Sequence, residues 1–158
     1  MALKEQINND LKAALLGGNR FSTEVLRGLK ATILNEEVAQ SKRDEGLDDS
    51  VIEQLIVREV KKRNESAVIY DGANRPELSE KERSESKILT GYLPKQLSED
   101  EIIVVVNRIV KELSATNASS MGQVIGAVKK ELGSTADGAL IAQIVKSTSL
   151  YSEKLETK

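Results

Sequence analysis

The chain has 158 residues, of which 39% are hydrophobic and 30% charged, and its formal net charge is −2. This length and composition predict a soluble globular protein with one domain or two small ones, and they exclude a disordered chain and a strongly basic nucleic-acid-binding module. Cysteine and histidine are both absent. Disulfides, thiolate metal ligands and histidine-based proton transfer are therefore excluded, and we expect no metal and no other cofactor.

The amino-terminal sequence MALKEQINND is polar and shows no targeting pattern. No apolar run approaches the roughly 18 residues that a membrane-spanning helix requires. We therefore expect a cytoplasmic location and no contact with a membrane.

The first 94 residues predict four helices. Apolar residues at steps of four indicate the first helix, which Gly17-Gly18 ends, and Ser22 is the predicted N-cap of a second helix that runs to about Lys42. The inward stripe predicted for this second helix is Val25, Leu26, Leu29, Ile33, Leu34 and Val38. Ser50 and Glu53 have the spacing of a capping box for a third helix, and Pro76 favours the first turn of a fourth helix that ends near Gly91.

Three further helices are predicted after Pro94. Ser98-x-x-Glu101 and Ser120-x-x-Gln123 have the capping-box spacing, and Asp137 is the predicted N-cap of the last helix. The sequence therefore predicts an all-α protein of two helical bundles. The N-terminal bundle has four helices in residues 1–94, the C-terminal bundle has three in residues 95–150, and residues 151–158 form a polar tail.

Two carboxylates on the fourth helix require an explanation. Glu82 and Glu85 share a face with apolar residues, where an unpaired charge is costly. Arg63, or Arg58 about one turn earlier, could supply the partner, so we expect structural ion pairs among these four residues. Paired carboxylates in helical bundles also hold di-iron centres, but those centres use histidine as well, so we expect no metal here.

Candidate RNA contacts are local, because the overall charge is acidic. Lysines and arginines cluster at Lys61–Arg63 and recur in the second bundle, including Lys129 and Lys130. Solvated helix faces are the alternative explanation for these charges. Four scattered aromatic residues are too few for a base-stacking platform, so any tRNA contact would be to the backbone.

Motifs along nearly the whole chain carry a family resemblance. They are, in order, Leu26-Arg27-x-Leu29-Lys30, Lys61-Lys62-Arg63-x-Glu65-Ser66-Ala67, Tyr70, Arg75-x-Glu77-Leu78, Glu82, Glu85, Tyr92-Leu93-Pro94-x-Gln96-Leu97, Met121-Gly122 and Ala136-Asp137-Gly138. With this order and spacing the chain resembles the GatB/YqeY family. These are small helical proteins similar to the tail region of the B subunit of the glutamine-dependent aspartyl/glutamyl-tRNA amidotransferase.

The resemblance implies a binding accessory, because the tail of that subunit contacts tRNA while another domain does the chemistry. It links the family with carbon–nitrogen ligase activity that uses glutamine as nitrogen donor. Met121-Gly122 and Ala136-Asp137-Gly138 fall where the family has its best-kept motifs, which implies tRNA contacts there. With the adjacent Gln123 and the charged candidates Lys129 and Lys130, these residues make up the predicted tRNA-binding set. Gln123 and Thr135 stand where the family pattern has lysine and arginine. A protein-interaction adaptor without RNA binding is the alternative function, with an amidotransferase or another protein as its partner.

Overall fold

In a computed structural model, the described residues are 2–114 and 120–148, and they are helical without any strand. The α-helices are α1 (Leu3–Leu16), α2 (Arg20–Ala39), α3 (Asp49–Gly72), α4 (Pro76–Thr90), α5 (Glu99–Glu112), α6 (Met121–Leu132) and α7 (Gly138–Ser147). The prediction of an all-α protein is confirmed for these ranges. The predicted tail, residues 151–158, lies outside them. Among the described helices we find no apolar stretch that could span a bilayer.

The chain divides into two compact units, Met1–Leu93 and Pro94–Lys158. The first unit contains α1 to α4, and its core is built on the buried side chains of Ile7, Leu29, Ile52 and Leu89. The second contains α5 to α7, with a separate core that includes Ile102, Val124, Val128 and Ile141. The organisation of these helices into a four-helix and a three-helix bundle stays a prediction.

Local capping signals position several helix starts. Pro76 occupies the first turn of α4, where its missing N–H leaves no hydrogen bond unmade. Ser98 and Glu101 form both hydrogen bonds of a capping box at the start of α5. The Asp137 carboxylate accepts a hydrogen bond from the Leu140 N–H at the start of α7, at 3.2 Å. These three predicted starts are confirmed.

Two other predicted starts are wrong. Helix α2 begins at Arg20, and the N-cap is Asn19, whose side-chain oxygen accepts a hydrogen bond from the Ser22 N–H at 3.1 Å. Helix α3 begins at Asp49, before the predicted capping box. The Asp49 carboxylate instead accepts a hydrogen bond from the Leu3 N–H at 3.0 Å. A residue of α3 thus satisfies a free N–H at the start of α1.

The inward face of α2 differs from the predicted stripe. Leu34 and Val38 are 43% and 57% exposed, whereas Glu37 is only 1% exposed. The side chain of Lys4 on α1 donates to the Glu37 carboxylate at 2.5 Å. A charged group can lie at this position because the lysine neutralises it. The ion pair therefore joins α1 to the end of α2.

Helices α3 and α4 form an antiparallel hairpin, and both helices have small residues that are buried. Ala67 and Ser79 are each 1% exposed and Ser86 is 6% exposed. The turn between the helices contains Asn74 at φ 57°, a left-handed conformation that asparagine tolerates better than most residues. Small side chains allow two helix backbones to approach closely, so this pair needs few large apolar residues along its length.

Tyr92 connects the end of this hairpin to the first helix. Its hydroxyl donates a hydrogen bond to the Asp10 carboxylate on α1 at 2.6 Å. Burial, together with the hydrogen bond to the Asp10 carboxylate and its charge, raises the pKa of Tyr92 above its ordinary value. The folded state therefore favours the neutral phenol.

Lys4→Ala should lower the free energy of unfolding by about 1–3 kcal/mol, because it leaves the buried Glu37 carboxylate without its cation. Urea unfolding followed by far-UV circular dichroism measures this change. The control is Lys12→Ala, an exposed lysine of the same helix with no partner among the described residues, which should change stability by less than about 0.5 kcal/mol. Equal losses in the two variants would contradict a structural role for the Lys4–Glu37 pair.

Tyr92→Phe should cost about 1 kcal/mol at neutral pH through the lost hydrogen bond. Because folding raises the pKa of Tyr92, its contribution is complete below about pH 10, the ordinary tyrosine pKa, and is lost as pH rises above it. In urea unfolding between pH 7 and pH 11, the difference in unfolding free energy between wild type and Tyr92→Phe should therefore become smaller as the pH rises. Tyr70→Phe is the control, and a constant difference between wild type and Tyr92→Phe would rule out this linkage.

Candidate functional site

Arg63 on α3 lies between two carboxylates. Its Nη1 donates to Glu59 on the same helix at 2.7 Å, and its Nε donates to Glu85 on α4 at 3.2 Å. All three side chains are between 17% and 19% exposed. Burial alone would raise the pKa of Glu59, but hydrogen bonds from Arg63 and Lys62 and the charges of these residues lower it below its usual value. We call Arg63, Glu59 and Glu85 the Arg63 cluster. Its ion pairs link α3 to α4 within the hairpin.

The other two residues predicted for ion pairs lie apart from this cluster. Arg58 is exposed and Glu82 is half-buried, and neither makes an ion pair or side-chain hydrogen bond within residues 2–114 and 120–148. Of the two arginines considered from sequence, the structure brings Arg63 to Glu85. Over the same residues there is no group of acidic side chains arranged to hold a metal ion.

The residues implied in tRNA contact fall into two groups in the second unit. Met121, Gly122 and Gln123 form the first turn of α6, where Met121 is half-buried and the other two are exposed. Lys129 and Lys130 are exposed in the last turn of the same helix. Eight residues of helix separate Met121 from Lys129, which is about 12 Å. The structure therefore does not bring these two groups together.

Lys129 instead lies against the start of α7. A Cβ added to Gly138 would stand 3.1 Å from Cε and 3.4 Å from Nζ of Lys129. Gly138 is the first residue of α7, Asp137 is its N-cap, and Ala136 before them is 4% exposed. The ammonium group of Lys129 thus lies beside the amino-terminal end of a helix. We call Lys129, Lys130, Asp137 and Gly138 the α6–α7 corner.

The α6–α7 corner can attract an anion. Asp137 accepts the Leu140 N–H, but the N–H groups of Gly138 and Ala139 have no partner among the described residues. Free N–H groups at a helix start bind phosphate oxygens, and lysine adds a full positive charge. The Asp137 carboxylate opposes an anion at the same place. The corner therefore suits one phosphate better than a cluster of them.

The turn that builds this corner depends on Gly133. This residue ends α6 with φ 54° and ψ −129°, a conformation that residues with a side chain rarely adopt. Sequence reasoning named Lys129 and Gly138 separately but missed that they touch. The contact arises from the path of residues 133–137, for which the sequence offers only the glycine as a signal.

Apolar side chains are exposed on α5 in the same unit. Ile103 is 40% and Val104 67% exposed. Ile103 also lines a groove of about 390 Å³ between α5 and α7, together with Asn107, Gln143 and Ile144. A groove with apolar and amide side chains can hold a peptide or a helix of another protein.

Glu85→Ala should destabilise the first unit by about 1–3 kcal/mol, because it removes the ion pair that joins Arg63 to α4. Chemical unfolding followed by circular dichroism measures this loss. Glu82→Ala removes the same group from the same helix at a position without an ion pair in the described residues, and it should cost less than about 0.5 kcal/mol. The interpretation fails if Glu82→Ala is the more damaging change, or if Glu85→Ala releases a bound metal.

Comparison with known proteins assigns the chain to a family. The family model described as Yqey-like protein matches residues 4–149. Among curated proteins, the chain is similar to altered inheritance of mitochondria protein 41, mitochondrial, of Kluyveromyces lactis, with 30% identity over 126 residues, 77% of this chain and 66% of the relative. The protein of the same name from Lachancea thermotolerans is 30% identical over 72% of this chain and 60% of the relative. The chain thus spans somewhat less than two thirds of these two relatives.

A third relative, from Clavispora lusitaniae and with the same name, is 26% identical over 96% of this chain and 89% of its own length. All three relatives are named as mitochondrial proteins, so the prediction of a cytoplasmic location is wrong. The amino-terminal pattern on which it was based does not identify the compartment. Because the family match extends from residue 4 to residue 149, the chain belongs to the family of Yqey-like proteins.

Proposed function

We propose that this protein is a non-catalytic accessory that binds tRNA, in the manner implied by its resemblance to the tail of the amidotransferase B subunit. The observation that carries the proposal is the position of Lys129 against Gly138 at the start of α7. The corner combines the ammonium group of Lys129 with two N–H groups that have no partner among the described residues, and these are the donors that a phosphate of the RNA backbone requires.

Recognition would be by backbone and shape. Lys129 and Lys130 supply positive charge at the corner, while Met121, Gly122 and Gln123 at the other end of α6 offer a second helix start about 12 Å away. Two such points spaced along one helix could contact different phosphates of a folded RNA. No base-specific reading is proposed, because the chain has few aromatic residues and a net charge of −2.

The two units would have different roles. Residues 1–94, as a four-helix bundle, would be the scaffold, which the Arg63 cluster and the Lys4–Glu37 pair hold together. Residues 95–150, as a three-helix bundle, would present the α6–α7 corner. Any carbon–nitrogen ligation would be done by a partner amidotransferase, and this chain would contribute binding alone.

A protein-interaction adaptor is the second candidate function. The groove between α5 and α7 and the exposed Val104 favour it, because apolar side chains in a groove are suited to a partner helix. In this case the lysines of the α6–α7 corner would be solvated surface charges, and the protein would show no saturable binding of tRNA.

Replacing both corner lysines (Lys129→Ala/Lys130→Ala) should weaken tRNA binding about tenfold or more and reduce the slope of log affinity against log salt by about 2, one for each lost phosphate contact. Fluorescence anisotropy with labelled tRNA at several salt concentrations measures both quantities. Lys111→Ala, an exposed lysine of α5 without an ion pair among the described residues, is the single-charge control and should leave affinity nearly unchanged.

Gly138→Ala tests whether tRNA binding depends on the position of the Lys129 side chain, because it leaves the charge of the protein unchanged. The added Cβ would displace the Lys129 side chain, which is flexible, while the net charge and the helix stay intact. Weaker tRNA binding in this variant with unchanged thermal stability would support the corner as the site. Binding without saturation in wild type, or equal losses in the Lys111→Ala control, would instead favour the adaptor.

A further inference from the structure

A cavity of about 400 Å³ lies in the first unit, where α1 ends and α2 begins. Its walls include Leu15 from the last turn of α1 and Arg20, Thr23, Glu24 and Arg27 from the first two turns of α2. The volume is within the range of sites that hold small molecules. The family resemblance includes Arg27, in the motif Leu26-Arg27-x-Leu29-Lys30, but it implies no role for this cavity.

Two arginines of this cavity have no intramolecular partner. Arg20 and Arg27 are seven residues apart on α2, so their side chains project from the same side of the helix about 10 Å apart. Neither makes a hydrogen bond or ion pair with any residue in 2–114 or 120–148. Of the six other arginines, Arg63, Arg75, Arg83 and Arg108 are each paired with a carboxylate, whereas Arg43 and Arg58 have no partner among the described residues.

Glu24 lies close enough in sequence to pair with either arginine. It stands four residues after Arg20 and three before Arg27, which are the spacings at which helical ion pairs form. Yet it bonds to neither arginine within the described residues. Both guanidinium groups are therefore available to a ligand, and the cavity carries a local charge of +1 from these three side chains.

The start of α2 adds a backbone donor. The Asn19 side chain accepts the Ser22 N–H, and the Asn19 carbonyl accepts the Thr23 N–H, whereas the Arg20 N–H has no partner among the described residues. The Thr23 hydroxyl donates to the Asn19 carbonyl at 2.7 Å, which leaves its lone pairs able to accept. Gly18, in a left-handed conformation with φ 70°, lines the opening beside these groups.

We propose that this cavity binds a phosphate group, with the guanidinium groups of Arg20 and Arg27 as its donors. Guanidinium forks match the oxygens of phosphate, and two of them suit the double negative charge of a phosphate monoester. Leu15 provides an apolar wall for the body of the ligand, and Glu24 accepts a hydrogen bond from a hydroxyl or amino group. These features fit a small phosphorylated molecule of nucleotide size. The alternative source of the same chemistry is a phosphate of an RNA chain.

Isothermal titration of the full chain with AMP at low ionic strength tests the proposal. Saturable AMP binding is expected, with weaker binding of inorganic phosphate and none of adenosine, which lacks the phosphate. Arg20→Ala/Arg27→Ala should reduce AMP affinity about tenfold or more, because it removes both forked donors. Glu24→Gln should tighten binding, since it removes the nearby negative charge.

The matched control removes two charges elsewhere in the same unit. Arg43→Ala/Arg58→Ala replaces two exposed arginines that also lack partners among the described residues, and it should leave AMP affinity unchanged. Equal losses in the two double variants, or no saturable binding of AMP, phosphate or tRNA that depends on Arg20 and Arg27, would overturn the proposal. All four arginines are exposed, so the variants should fold.

A tRNA titration of the same variants identifies the source of the phosphate. If Arg20→Ala/Arg27→Ala loses tRNA binding and wild type does not bind AMP, the site holds an RNA phosphate. If AMP binds and tRNA does not compete with it, the ligand is a free phosphate monoester. The inference is independent of tRNA binding in the second unit, because the Lys129→Ala/Lys130→Ala variant should retain AMP binding.

Discussion

The close approach of α3 and α4 is the constraint on which the first unit depends. Ala67, Ser79 and Ser86 are buried on these two helices, and small side chains of this kind allow helix backbones to approach closely. The same small residues supply little apolar area, so the hairpin needs another contact along its length. Arg63 provides it by bonding Glu59 on its own helix and Glu85 on the other. One guanidinium shared by two carboxylates would leave one negative charge, and Lys62 offsets it through an ion pair with Glu59 at 3.3 Å.

Polar contacts between distant parts of the chain also hold α1 in place. Leu3, Ile7 and Leu11 are its only buried residues, so α1 contributes a narrow apolar stripe. Its backbone start is bonded to Asp49 of α3, its Lys4 to Glu37 of α2, and its Asp10 to Tyr92 after α4. Each contact joins α1 to a different element. Hydrogen bonds of this kind add little net energy. Glu37 is the buried carboxylate of the three, so a packing that separated it from Lys4 would leave a buried charge unpaired.

Features that depend on residues close together in the sequence could be predicted, and features that depend on distant residues could not. The helical class and the starts at Pro76, Ser98 and Asp137 depend on residues within about one turn, so they were predictable. The burial of Glu37 in place of Val38 was not, because hydrophobicity favours valine and the deciding partner, Lys4, lies 33 positions away. The use of Asp49 as a cap for α1 escaped prediction for the same reason, as its partner is 46 positions away.

The contacts within the candidate site were also only partly predictable from the sequence. Arg58 and Arg63 were equal alternatives in the sequence, yet five residues of helix turn their side chains about 140° apart, so only one can face α4. The contact of Lys129 with Gly138 depends on the path of the chain through Gly133 and could not be predicted from either residue alone.

The placement of the cations adds an argument about function. A lysine in the last turn of α6 is favourable with respect to that helix, whose carboxyl end is negative. The same side chain reaches the amino-terminal end of α7, which is positive, so its position there is not explained by the helix dipoles alone. Asp137 moderates this repulsion, and a bound phosphate would remove it. Arg20 at the start of α2 is in a similar position, a cation beside a positive helix end with an unused N–H. In both units, a bound anion would lie beside a cation and a positive helix end, and it would offset the repulsion between them.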